Sequence, residues 1–248
     1  MIFRVGNGFF KVFLLFMIVA MISLSFIYLY NCLLKSPYLK MEQVKIEGVN
    51  KKIKYELKQI CGLNSDLSLL ALNLNEMQQK MEEHPWVRSI ILERRFPHTL
   101  IIQAQKEIPE ALVLMDKFFY MNKWGEIFKE VHNSENMDFP IITGISENKP
   151  DTRKRLDLAS QILTILRSEK GLWSLDELSE IHLNMRGGVS LYFNHLEAEI
   201  KFAETADAEI IEGLKKVAGH LIRSGRIHQV KHIDLTYRNG AVVSFWKG

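Results

Sequence analysis

Two histidines four residues apart, His228 and His232, are the nearest approach in this chain to a metal-ligand spacing. Such a pair can grip one ion only on a helix, where side chains at i and i+4 share a face. Gly225 stands just ahead, and His232 opens an alternating stretch, so solvated or strand-edge histidines are the better reading. Asp176, Glu177 and Glu180 form the second cluster, carboxylates close enough to be imagined as general acid and base. They stand just before an apolar run and read as a solvated turn. Cys61 has no evident activating partner and reads as a small buried residue. The sequence has no phosphate-cradling glycine loop, nucleophile elbow, H-E-x-x-H or C-x-x-C. No catalytic residue, cofactor, metal or small-molecule substrate is therefore assigned, and a non-enzymatic role is expected. Arg94 and Arg95 precede a turn and read either as charge guarding a sheet edge or as a contact with a partner or lipid headgroups.

The element that must position everything else is residues 12–30, VFLLFMIVAMISLSFIYLY, which contains no charge. As a helix of about 1.5 Å rise per residue, it spans the ~30 Å hydrocarbon core of a bilayer. Ser23 and Ser25 can bond back to helix carbonyls. A cleaved signal would have an apolar run of about 7–15 residues and a small-residue exit. Here the exit is Tyr28-Leu29-Tyr30-Asn31-Cys32, bulky throughout, with tyrosines suited to an interface. Residues 1–11 are read as a short cytoplasmic tail, 12–34 as a transmembrane helix and 35–40 as a connector. Arg4 and Lys11 before the helix are balanced by Lys35 and Lys40 after it, so local charge gives only a weak orientation signal. The expected arrangement keeps the tail inside and exports the rest.

The 248 residues include 25% charged and 47% hydrophobic, an ordinary globular composition. Net charge is +3 with acids and bases interleaved, which gives no basic stripe and no reason to invoke nucleic acid. Two cysteines, Cys32 at the membrane boundary and Cys61 in an expected helix, make no disulfide framework.

Residues 41–49 alternate as a half-buried strand, with Gly48 suited to a turn or bulge. Residues 52–61 and 73–84 have helical spacing, the first stopped by Gly62 and the second opened by Asn73 with Glu76 in a capping box. Residues 86–95 and 99–107 read as strands around the turn Phe96-Pro97-His98, with Leu100, Ile102 and Ala104 on one apolar face. The order over residues 41–109 is β-α-α-β-β, two helices covering a small, largely antiparallel sheet.

Residues 110–248 read as a larger mixed β domain with flanking helices. Strands are expected at 111–115, 118–121, 126–131, 178–184, 189–193 and 197–202, and helices at 153–168 and 207–222. Leu156, Ala159, Leu163 and Leu166 line the first helix; Ile210, Leu214, Val217 and Leu221 line the second. Residues 232–238 and 241–246 flank Asn239-Gly240, the strongest short hairpin signal. The fold class is α+β.

Five runs, in order, resemble the FtsQ/DivIB family of bacterial cell division proteins. They are Val44-Lys45-Ile46-Glu47-Gly48; His84-Pro85-Trp86-Val87 with Arg94-Arg95-Phe96-Pro97-His98-Thr99-Leu100; Lys106-Glu107-Ile108-Pro109-Glu110-Ala111; Phe139-Pro140-Ile141-Ile142-Thr143-Gly144; and Ile233-Asp234-Leu235-Thr236-Tyr237-Arg238-Asn239-Gly240-Ala241. The resemblance implies one inner-membrane helix, a POTRA domain at 41–109 and a β domain at 110–248, both periplasmic. It also implies a scaffold at the division septum. FtsB- and FtsL-type bitopic proteins would bind the C-terminal part of the β domain, and other division proteins the POTRA side.

A terminal strand at a sheet edge offers unpaired N–H and C=O groups to which an extended partner can add. Tyr237, Arg238, Asn239, Gly240, Val243, Phe245 and Trp246 are the candidate partner-binding residues, and Arg94 and Arg95 the POTRA surface candidates. A two-residue Asn-Gly loop would put Tyr237 and Trp246 on one face and Phe245 on the other. One alternative is a POTRA-bearing assembly or chaperone component of envelope secretion machinery. Such proteins usually carry repeated POTRA units or a barrel. Another is a membrane-tethered envelope enzyme.

Overall fold

The computed structural model describes residues 3–34, 36–62, 67–132, 134–146, 150–184, 187–203, 208–237 and 240–246. Two compact units divide the chain, Met1–Lys106 and Glu107–Gly248.

Helix α1 (Phe3–Leu34) contains an apolar span, Phe10–Leu33, of 24 residues. Its described side chains are exposed almost throughout, Tyr28 by 78% and Phe16 by 70%, so no core of this chain receives them. A helix apolar all round and covered by no protein is suited to lipid. Ser23 Oγ donates to Val19 O at 2.9 Å, keeping its hydroxyl paired within the helix.

The first folded domain runs β1 (Gln43–Glu47), α2 (Lys51–Ile60), α3 (Leu74–Glu82), β2 (Val87–Arg95) and β3 (Thr99–Lys106), the expected β-α-α-β-β order. Both helices open on asparagine caps: Asn50 Oδ1 accepts from Ile53 N at 2.9 Å, and Asn73 Oδ1 from Glu76 N at 3.3 Å. The sheet order is β1-β3-β2, with β1 parallel to β3 and β2 antiparallel to it, so the sheet is mixed rather than largely antiparallel. Alternation on β3 turns Leu100, Ile102 and Ala104 toward Ile53 and Leu57 of α2 and Met77 and Met81 of α3, which form one core with them. Gly48 has φ +86°, and a Cβ there would sit 1.9 Å from the Ala104 carbonyl oxygen, so this approach of β1 to β3 requires glycine.

The second domain is a nine-stranded sheet of order β12-β11-β10-β9-β8-β7-β4-β5-β6. Its strands are β4 (Ala111–Leu114), β5 (Phe118–Met121), β6 (Ile127–Glu130), β7 (Ile141–Thr143), β8 (Leu178–Leu183), β9 (Val189–Phe193), β10 (Leu196–Phe202), β11 (Val230–Asp234) and β12 (Val242–Phe245). Helix α4 (Thr152–Ser168) links the parallel neighbours β7 and β8, and α5 (Ala208–Arg223) links the parallel β10 and β11. Parallel pairs need a crossover, supplied at these two points by a helix and between the parallel β4 and β7 by β5 and β6.

One row of partners crosses seven strands: Val243, Ile233, Ile200, Leu191, Ile181, Ile142 and Val113. All but Val243 are buried, and they share one core with Leu156, Ala159, Leu163 and Leu166 of α4 and Ile211, Leu214, Ala218 and Leu221 of α5. The α4 stripe is as expected. On α5 the buried positions include Ile211 and Ala218, whereas Val217 is half-buried and the Ile210 side chain lies outside the described residues. The adjacent row, Val242, Asp234, Lys201, Ser190, His182 and Thr143, is mainly polar. From β7 to β12 the sheet thus has one packed and one polar face, whereas at β4 and β5 the second face carries buried Leu112 and Tyr120.

Two readings are corrected. Residues 141–143, not among the expected strands, form a strand in the interior of the sheet. The closing hairpin does not turn on two residues: Asp234 pairs with Val242, so residues 235–241 form the connection. A two-residue Asn-Gly loop would set Ile233 opposite Trp246, but Ile233 faces Val243. That three-residue slip reverses the faces, putting Val243 and Phe245 against the core and Trp246 on the other side.

Candidate partner-binding edge

β12 is the outermost strand of its sheet, paired on one side with β11 and with no strand on the other among the described residues. Trp246 N donates inward to Gln229 O at 2.9 Å. Antiparallel alternation then turns the main-chain groups of Val243 and Phe245 outward. The strand carries no acid or proline to blunt it.

The candidate residues divide by burial. Tyr237 in the connection is 58% exposed and Trp246 is 56% exposed. Val243 and Phe245 are half-buried and pack on the domain core. Gly240 lies in the connection, and Arg238 and Asn239 fall outside the described residues. The structure thus brings Val243, Phe245 and Trp246 together on one strand and leaves Tyr237 on the loop leading to it.

Sequence reasoning missed the cations at this edge. The Arg226 guanidinium stacks 3.8 Å from the Phe245 ring centroid, and Lys231 Nζ lies 5.0 Å from that of Trp246. Arg226 just precedes the turn Ile227–Gln229, and Lys231 follows on β11; only the pairing register reveals that they meet the last strand. A shallow concavity beside β12 is lined by Glu199, Lys201, Lys231, His232, Ser244 and Trp246. Within it Glu199 accepts from Ser190 Oγ at 2.7 Å and lies 3.3 Å from His232 Nδ1. Burial acts to raise the Asp234 carboxyl, but hydrogen bonds from the Thr236 hydroxyl and amide outweigh it, with help from His232 and Lys201, and the group is held below its ordinary value.

The residues that could have done chemistry are dispersed. Asp176 and Glu177 lie on the single turn Leu175–Glu177. Glu180 accepts a 2.5 Å hydrogen bond from Thr143 Oγ1, which is also 2.6 Å from His182 Nδ1. Burial pushes the Cys61 thiol up, away from thiolate chemistry, and Cys61 Sγ lies 3.7 Å from Met77 O. His228 sits on a turn and His232 on β11, so they share no helix face. Among the described residues no three His, Cys, Asp or Glu side chains are grouped to hold a metal ion.

On the first domain, Arg94 is committed internally: Nε donates to Leu69 O at 2.9 Å and Nη2 to Leu72 O at 2.5 Å. Arg95 is exposed, 3.5 Å from Glu93.

An exposed apolar helix long enough to cross a bilayer, a β-α-α-β-β domain and a broad mixed sheet fit a membrane-anchored protein with two folded domains. Residues 39–106 match the family described as POTRA domain, FtsQ-type. Residues 111–242, more than half of the chain, match Cell division protein FtsQ/DivIB, C-terminal, and the chain belongs to this family of cell division proteins. It is 28% identical over 165 residues to the cell division protein FtsQ of Syntrophotalea carbinolica, a stretch covering 64% of this chain and 58% of that relative. It is 29% identical over 205 residues to FtsQ of Anaeromyxobacter, covering 81% and 69%. Cell division protein DivIB of Clostridium acetobutylicum is 20% identical over 220 residues, covering 85% of each chain. An N-terminal helix able to span the bilayer and this family together fit an inner-membrane, single-pass division protein.

Proposed function

We propose that this protein is a non-enzymatic scaffold of the divisome, exposing both folded domains outside the cytoplasm at the septum and binding FtsB- and FtsL-type bitopic proteins by strand addition along β12. The observation that carries this reading is the open outer edge of β12, where the main-chain groups of Val243 and Phe245 face away from β11. Backbone pairing would supply affinity, and exposed Tyr237 and Trp246 would supply anchoring area beside it. Other division proteins would engage the POTRA domain, with Arg95 rather than Arg94 offering its charge.

The test is a pair of proline substitutions. In Val243→Pro the lost N–H points outward, and edge strands tolerate proline there. Its melting temperature should fall only by what the half-buried valine side chain contributes to the core, and the variant should stay folded. Capture of a purified bitopic partner of this type should weaken by about tenfold or more, the loss expected from one or two main-chain bonds. Ser244→Pro should instead unpair β12 from β11 and lower the melting temperature itself. Parental affinity in a folded Val243→Pro protein would sink strand addition at this edge.

A further inference from the structure

The chain enters its first domain at the end that carries the β2–β3 turn. Glu42 N and Gln43 N both donate to His98 O, at 2.9 and 3.2 Å, and Thr99 is the register partner of both Gln43 and Arg95. The connector is fastened there by side chains as well, since the Tyr38 ring meets that of His98 edge-on at 5.5 Å between centroids. Leu39 O accepts from Leu69 N at 2.8 Å, so the chain is bonded into the domain from this point onward.

Only four residue steps separate Leu34, the last residue of α1, from Tyr38. At about 3.3–3.6 Å each, they span at most ~14 Å. The apolar span of 24 residues, at about 1.5 Å each, is itself longer than the ~30 Å hydrocarbon core, which places the end of α1 at headgroup level. The β2–β3 turn is therefore held close to the bilayer surface by the covalent chain.

What this end exposes fits that surface. Tyr38 is 69% and Phe96 58% exposed, and Arg95 stands beside Phe96. An exposed tyrosine and phenylalanine flanked by a cation match the boundary between headgroups and acyl chains, where rings are buried while polar tips stay wet. Charge alone does not select the surface, because Glu42 lies 3.9 Å from His98 and Glu93 lies 3.5 Å from Arg95. The aromatic side chains supply the selectivity.

We propose that Tyr38 and Phe96, steadied by Arg95, insert into the headgroup layer of the bilayer that holds α1, so that phospholipid is a second ligand of the POTRA domain. This rests on the membrane-anchor reading of α1. The domain would then meet the membrane at two points, the connector and the turn.

The test uses the full chain in nanodiscs of phosphatidylethanolamine and phosphatidylglycerol, without any partner. The photocrosslinker p-benzoylphenylalanine replaces, one at a time, Tyr30, Tyr38, Phe96 and Ile91. Ile91 is 62% exposed and pairs with Gln103 at the middle of the same hairpin, four residues from Arg95. Phospholipid adducts, read by mass spectrometry, are expected at Tyr30, Tyr38 and Phe96 and at most weakly at Ile91. Adducts at Tyr30 with neither Tyr38 nor Phe96 exceeding Ile91 would overturn lipid contact while leaving the anchor intact. Absence of adducts at Tyr30 would overturn the anchor reading and this inference with it.

Discussion

The guanidinium of Arg226 lies 3.8 Å from the centroid of the Phe245 ring, clasping the last strand from the turn that precedes β11. Phe245 also packs on the domain core, so this aromatic works for the fold before it can work for a partner. Phe245→Ala should cost about 1–2 kcal/mol, less than a fully buried phenylalanine because the ring is half-exposed. Tyr237→Ala and Trp246→Ala remove exposed rings and should leave stability within about 0.5 kcal/mol while weakening partner capture. Denaturant midpoints beside partner pull-downs separate the two effects.

Arg94 and Arg95 are adjacent in sequence and opposite in role. Arg94→Ala strips a charged donor from the Leu69 and Leu72 carbonyls and should destabilise the first domain by about 2 kcal/mol. Arg95→Ala loses an exposed contact to Glu93 and should change stability by less than about 0.5 kcal/mol. Equal midpoints for the two variants in urea unfolding would contradict this division of labour.

The first domain was legible because local signals agreed with the tertiary outcome. Asn73 caps the second helix as its capping box announced, and the alternation Leu100, Ile102, Ala104 marks the buried face of β3. β7 was not legible because three residues between Pro140 and Gly144 are too short for a period to show. The last hairpin misled for a different reason. Asn239-Gly240 is a strong turn signal, but register follows the core row, where Ile233 needs Val243 opposite it and a longer connection accommodates that. The cationic neighbours of β12 depended on register and stayed hidden.

Gly144 follows β7 with φ +79°, and a Cβ there would fall 2.1 Å from the Leu183 carbonyl oxygen. Arg155 donates to that same carbonyl, so the backbone of β8 is fixed from both sides. Gly144→Ala should therefore combine an unfavourable positive φ with a backbone collision and cost about 3 kcal/mol or more. Gly171 is also at positive φ, but a Cβ there would meet nothing within 4 Å, so it should tolerate alanine at about 1 kcal/mol. Thermal melts of the pair give the comparison.

Orientation is open to a direct check. A periplasm-dependent reporter fused after Gly248 should be active in growing cells, with a cytoplasm-dependent reporter silent at the same position. The reverse pattern would invert the whole topology, placing the β12 edge where an exported partner could never reach it.

His195 gives a pH dependence of known sign. Its ring packs 4.9 Å from Trp173 and 5.8 Å from Phe193, and burial lowers its pKa against the opposing pull of Glu177, 3.8 Å away. The folded protein therefore resists taking up a proton that the unfolded chain accepts near the ordinary value of about 6.5. Fewer protons bound in the folded state means stability is greatest above that value and falls as pH drops through it toward the lowered folded pKa. The melting temperature should decline between about pH 7.5 and about pH 5.5. His195→Gln has no proton to gain, so its decline over the same interval should be shallower, with the two curves converging at acid pH relative to their separation at neutral pH. Parallel curves would show that the Trp173–His195 contact is indifferent to protonation.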